Sequence, residues 1–125
     1  MIPYIDQDDL DTLARTIYGE ARNQGMPGMI AAGWTIRNRA EKDLGNDGLP
    51  DWWGEGIVGV CKRPWQYSCW NANDPNRVKL LAVTARDGAF KSCLAAAKGV
   101  LTGQYTDPTK GSTHYHTRAV RPKWA

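Results

Sequence analysis

The sequence predicts a single α+β domain, mainly helical, with a small β-hairpin element. Three observations predict it. Apolar residues recur at helical spacing over residues 10–21, 29–36 and 90–101. Asp74-Pro75 and Asp87 stand where helix starts belong. Gly, Pro and aromatic residues crowd residues 43–70, where short extended pieces fit better than a long helix.

The first helix opens near Asp8, with Asp6, Asp8 or Asp9 as its N-cap, because acidic side chains suit the positive end of a helix. Projected at about 100° per residue, Leu10, Leu13, Ala14, Ile17 and Ala21 form one stripe. Asp11, Thr12, Arg15, Thr16, Gly19 and Arg22 fall away from it. Glu20 does not join them: it projects roughly 20° from Leu13, at the edge of the apolar stripe. Residues 23–25 end this helix, with Gly25 suited to the turn after it. Pro27 suits the first turn of a second helix. That helix runs to about residue 39 and carries Met29, Ile30, Ala32, Gly33, Trp34 and Ile36. Residues 43–59 read as loop. Extended pieces at 57–60 and 66–70 supply the hairpin. Asp74 and Pro75 open a helix to about residue 86. Asp87 caps another, with Phe90, Cys93, Leu94, Ala97, Val100 and Leu101 on its core face and Gly103 at its end. Residues 104–125 read as irregular.

The chain has 125 residues, enough for one core. Leu, Ile, Val and Phe together number only 21, a deficit that signals disorder when joined to a high net charge. Sixteen basic residues against 13 acidic leave +3, so the second condition fails. Six Trp and five Tyr supply apolar area instead, which suits a small core bordering a wet groove. No apolar run approaches the roughly 18 residues of a transmembrane helix, so no integral membrane segment is expected. The acidic stretch at residues 6–9 lacks the pattern of a secretory signal, which leads to the expectation of synthesis in the cytoplasm. The mild positive charge suits an anionic polymer, and equally an ordinary soluble surface.

Three cysteines are an odd count for a disulfide scaffold. Cys93 reads as a small buried hydrophobe. Cys61 and Cys69 flank an aromatic loop and are able to pair if oxidised. Together with His114 and His116 they lack the spacing of a zinc site, so no metal or other cofactor is expected.

The candidate chemistry starts from three glutamates, Glu20, Glu41 and Glu55. Glu41 sits among charges and Glu55 in a Gly-rich loop. Glu20 has apolar neighbours at helical spacing. Burial and the negative end of its helix both raise a carboxyl pKa, and a raised pKa is what a general acid requires. The alternative for Glu20 is an ion pair with Arg22, Arg37 or Arg39. Trp52, Trp53, Trp65, Tyr67 and Trp70 lie interleaved with Gln66, Ser68, Asn71 and Asn73. Aromatic faces beside amides and hydroxyls suit sugar rings, stack nucleobases equally well, or form a mini-core. His114 and His116 would face opposite ways on a strand, so at most one lines a given groove.

Residues 14–22, Ala-Arg-Thr-Ile-Tyr-Gly-Glu-Ala-Arg, resemble the signature of the SleB-like cell-wall hydrolase family, the spore-cortex-lytic type. Further blocks follow in the family's order: Gly28 leading into Arg37-Asn38-Arg39, Gly59-Val60-Cys61, residues 65–70 (Trp-Gln-Tyr-Ser-Cys-Trp), and residues 107–116 with Pro122-Lys123-Trp124. The resemblance implies a lysozyme-like fold and cleavage of the bond between N-acetylmuramic acid and N-acetylglucosamine in peptidoglycan glycan strands. It implies Glu20 as catalytic acid and then base, in a lytic transglycosylase that forms 1,6-anhydromuropeptides. Trp65, Gln66, Tyr67 and Ser68, with Tyr115 and His116, are the expected substrate contacts. Asn23-Gln24 departs from the Gly-Glu that many relatives carry there, which argues against a mechanism needing two glutamates in the motif. The expectation is therefore a monomeric wall-degrading enzyme with no nucleic-acid partner. It would be deployed like a phage endolysin and would reach the wall after the membrane is permeabilised. The rival readings are a hydrolytic muramidase, a zinc-dependent amidase and a non-enzymatic glycan- or nucleic-acid-binding module.

Overall fold

The computed structural model describes residues 5–42, 56–62 and 67–111. Their regular structure is α1 (Gln7–Ala21), α2 (Gly25–Lys42), α3 (Gly56–Lys62), a 3₁₀ turn (Ser68–Trp70), α4 (Pro75–Ala82) and α5 (Gly88–Thr102). No strand occurs among the described residues. The α+β expectation with its β-hairpin is thus corrected, among the described residues, to an all-helical arrangement. The first hairpin limb, 57–60, lies in α3. Its Ile57, Val60 and Cys61 are buried at i, i+3 and i+4, and that helical period outweighs the β-branched content. In the second limb Gln66 lies outside the described residues. The remainder coils tightly, with the Trp70 N–H donating to the Tyr67 carbonyl at 3.1 Å.

The central element is α1. Asp6 caps it, accepting from the N–H groups of Asp8 at 2.8 Å and Asp9 at 3.1 Å, a contact worth about 1 kcal/mol. The helix packs against α2, α3, α4, α5 and the 3₁₀ turn. Leu13, Ala14 and Ile17 are buried, as their stripe predicts. Thr12 and Thr16 are buried too, although the projection placed them away from that stripe. Their side of α1 is covered by other elements, and the Thr16 hydroxyl satisfies itself by donating to the Thr12 carbonyl at 2.8 Å.

The neighbouring helices follow their caps. α2 continues to Lys42, beyond the expected end near residue 39. An Arg37–Glu41 ion pair at 2.6 Å, one turn apart, supports its last turns. Arg37 also donates to the Val100 carbonyl at 2.7 Å, and the Trp34 Nε1–H donates to the Tyr105 carbonyl at 2.8 Å. These bonds join α2 to α5 and to the chain beyond it. α4 begins as expected, with Asp74 as cap and Pro75 in the first turn, but ends at Ala82 rather than near residue 86. Arg15 of α1 gathers its terminal carbonyls, donating to Leu80 at 2.5 Å and Val83 at 2.9 Å. A cation thereby meets carbonyls that the helix leaves unpaired.

α5 is capped by Asp87 and closed by Gly103 in the left-handed conformation (φ 76°). Phe90, Cys93, Ala96, Ala97 and Val100 of α5 meet Leu13, Ile17, Trp34 and Ile36 in the core. Cys93 is a buried small hydrophobe, as its surroundings predict. All three cysteines are free and buried, so Cys61 and Cys69 are not bridged.

Candidate active site

Glu20 lies half-buried in the last turn of α1. Its neighbour Gly19 determines what packs against it. A Cβ placed on Gly19 would lie 2.7 Å from both Cβ and Sγ of Cys69. Only a residue without a side chain lets the 3₁₀ turn seat directly on the helix. Seated there, Cys69 donates twice to the Glu20 carboxylate, from its thiol and from its backbone N–H. The next residue, Trp70, donates its Nε1–H to the Thr16 hydroxyl at 2.8 Å. The Lys62 ammonium lies 5.0 Å from the centre of the Trp70 ring. The turn is thus fastened to α1 at positions 16, 19 and 20.

Burial is the largest influence on Glu20, and it pushes the carboxyl above its ordinary range. The Cys69 thiol works the other way, the charge of Asp74 pushes upward, and Arg39 and the Cys69 N–H pull downward. The net shift is upward, towards the protonated acid. Burial and the Glu20 charge both push the Cys69 thiol up, so it keeps its proton and acts as a donor. Burial pushes Cys61 up to about 12, and its thiol meets Thr16. Burial likewise raises the Tyr67 phenol, opposed by Arg39, whose guanidinium lies 5.2 Å from the ring centre. Tyr67 therefore remains a neutral O–H donor at ordinary pH.

Of the residues expected at the site, Glu20 and Tyr67 come together: the Glu20 charge is close enough to act on the phenol. Ser68 contributes its backbone to the 3₁₀ turn, while its side chain lies outside the described structure. Trp65, Gln66, Tyr115 and His116 also lie outside the described residues, as do Trp52 and Trp53. Among the expected ion-pair partners, Arg22 is held by the Tyr18 carbonyl at 2.9 Å and Asn76 at 3.2 Å. Arg37 is held by Glu41 and Val100. Arg39 is the one whose charge acts on Glu20.

Sequence reasoning missed Thr16, Gly19, Cys69 and Asp74 as parts of this site. One signal was available. A glycine within a helix costs about 1 kcal/mol relative to alanine, so Gly19 beside Glu20 marks a close approach. Among the described residues, no three His, Cys, Asp or Glu side chains are grouped so as to hold a metal ion.

A second polar cluster stands at the end of α2. Asp107 accepts from Asn38 Nδ2 at 2.9 Å, from the Thr109 N–H at 2.7 Å and hydroxyl at 2.6 Å, and from the Gly111 N–H at 2.8 Å. Burial pushes its carboxyl up, but these bonds prevail and hold it at about 2. Asp107 thereby ties residues 107–111 to α2.

A half-buried carboxyl with a raised pKa is suited to act as a general acid. The sequence profile of cell wall hydrolases matches residues 23–125, and the chain belongs to this SleB-like family of peptidoglycan-degrading enzymes. The matched stretch includes α2 to α5, Tyr67, Cys69 and Asp107, and it begins after Glu20. No curated protein and no solved structure matches the chain.

Proposed function

We propose that this protein is a lytic transglycosylase that cleaves the bond from N-acetylmuramic acid to N-acetylglucosamine, with Glu20 as its one catalytic carboxyl. The observation that carries the reading is the Glu20 carboxyl itself, pushed above its ordinary range by burial where the 3₁₀ turn meets α1. In the first step Glu20 donates its proton to the glycosidic oxygen as the bond to muramic C1 breaks. The positive charge spread over C1 and the ring oxygen is met by dipoles: the Tyr67 phenol and the substrate's own acetamido group. In the second step the Glu20 carboxylate takes the proton of the muramic C6 hydroxyl. O6 then bonds to C1, closing the 1,6-anhydro ring and restoring the acid. No water and no second carboxylate take part.

The second reading is hydrolysis, and Asp74 favours it, because its charge acts on Glu20. A hydrolase uses a second carboxylate as nucleophile or to activate water. Asp74 already serves α4, accepting from the Asn76 N–H at 2.8 Å.

Mass spectrometry of digested peptidoglycan separates the readings. Anhydromuropeptides are expected; reducing muramic ends would establish hydrolysis, and freed stem peptides an amidase. Glu20→Gln should lower the rate of wall digestion by roughly 10²–10⁴-fold, and unchanged digestion would remove Glu20 from the mechanism. Like a phage endolysin, the enzyme should lyse permeabilised bacteria and spare intact ones.

A further inference from the structure

We propose that Cys69 is the positioning residue of the acid: its thiol and its backbone N–H together fix the Glu20 carboxyl, in a contact made possible by the missing side chain of Gly19. The inference deepens the reading of Glu20 as proton donor and rests on it. The thiol is fully protonated, and Cys69 is 2% exposed. Its backbone is held by the turn, and the turn is held by the Trp70–Thr16 bond at 2.8 Å. Glu20 therefore cannot swing freely as a terminal helix residue otherwise would.

The choice of sulfur has a physical consequence. A thiol is a weak donor. It orients the carboxylate while stabilising its charge only slightly, so the upward push of burial prevails. A strong donor would orient Glu20 equally well but lower its pKa further, leaving less of it protonated at a given pH. The other groups that act on Glu20 are Asp74 ahead of α4 and Arg39 on α2. Glu20 in turn acts on Tyr67 and on Cys61 of α3. Asp74 and Arg39 act on Glu20 through their charges, and Cys69 through two hydrogen bonds.

The test is the pH profile of kcat/KM on purified peptidoglycan for the wild type, Cys69→Ala, Cys69→Ser and Glu20→Gln. Cys69→Ala should lose roughly tenfold in rate, the scale of one hydrogen bond to a charged group. Its alkaline limb should move to higher pH, because the carboxylate has lost a donor. Cys69→Ser should recover part of that rate, with its alkaline limb at or below the wild-type position. A wild-type limb in both variants, with Glu20→Gln inactive, would overturn the role of Cys69 and leave Glu20 as the acid. An active Glu20→Gln would overturn the reading beneath it.

A second measurement needs no change at Cys69. The S–H stretching bands of the wild type and Glu20→Gln are compared by infrared difference spectroscopy. One thiol band should shift when the carboxylate acceptor is replaced, and identical bands would overturn the proposal.

Discussion

Glu20 and Asp107 are both partly buried carboxyls beside a turn of the chain, yet their surroundings drive them in opposite directions. Asp107 receives four donors, from Asn38, from the Thr109 N–H and hydroxyl, and from Gly111. They outweigh burial and hold its pKa at about 2. Glu20 receives a weak thiol and one backbone N–H, faces the charge of Asp74, and stays above its ordinary range. Burial alone does not decide the outcome. At Glu20 burial is the largest influence and prevails, whereas at Asp107 the four bonds together outweigh it. The carboxyl with many donors acts as a clasp, and the one with few holds its proton to higher pH.

The contact most sensitive to disruption is the one that lets Cys69 reach Glu20. Gly19→Ala should force the 3₁₀ turn away from α1, since the added Cβ would lie 2.7 Å from Cys69. A shift of about 1 Å at a catalytic group costs on the order of 10²-fold in rate, and overpacking costs about 1–3 kcal/mol. Helix propensity works the other way by up to about 1 kcal/mol. Digestion rates and urea midpoints will show which effect wins; a stabilised and fully active variant would mean the close approach is dispensable.

The contrast between the two carboxyls should also appear as opposite pH dependences of stability. Asp107 has a folded pKa below its ordinary value of 3.8. Its contribution is present above that value and is lost as pH falls towards 2. Asp107→Asn should therefore cost about 1–3 kcal/mol at neutral pH, with the difference vanishing near pH 2. Glu20 has a folded pKa above its ordinary 4.5, so the native state binds its proton more tightly than the unfolded chain. Wild-type stability then falls as pH rises above that value. Glu20→Gln should be no more stable than wild type at pH 4 and more stable at pH 8. Urea unfolding at both ends of the range measures these differences, and parallel curves for wild type and variants would erase the contrast.

The sequence made local features legible and distant ones obscure. The Asp74 and Asp87 caps and the Gly103 stop depend on neighbouring residues, and each falls where its pattern predicts. Glu20 stood out because a carboxylate interrupted an apolar period. The hairpin expectation failed at 57–60 because Ile57, Val60 and Cys61 are spaced at i, i+3 and i+4, a helical period in a segment too short to announce itself. Thr12 and Thr16 looked solvated because nothing within α1 reveals that other elements will cover that side. By its position beside the aromatic loop Cys69 suggests pairing with Cys61, yet both are free. Its contact with Glu20 arises from tertiary packing between segments far apart in the chain, and only Gly19 hints at it.

The finest test changes one charge and leaves the architecture in place. Asn is as good an N-cap as Asp, so Asp74→Asn should keep the bond to the Asn76 N–H that starts α4. The change removes a negative charge that favours protonated Glu20. The Glu20 pKa should fall, and the alkaline limb of kcat/KM should move to lower pH, opposite to Cys69→Ala. Near the acidic optimum the rate should stay within about threefold of wild type, since a purely electrostatic neighbour contributes no bond to the reaction. The same variant judges the competing chemistry. If Asp74 were the second carboxylate of a hydrolase, its loss would lower the rate by roughly 10²-fold or more at every pH. A small loss with a displaced limb leaves Glu20 to act alone, its pKa raised by Asp74 and lowered by Cys69.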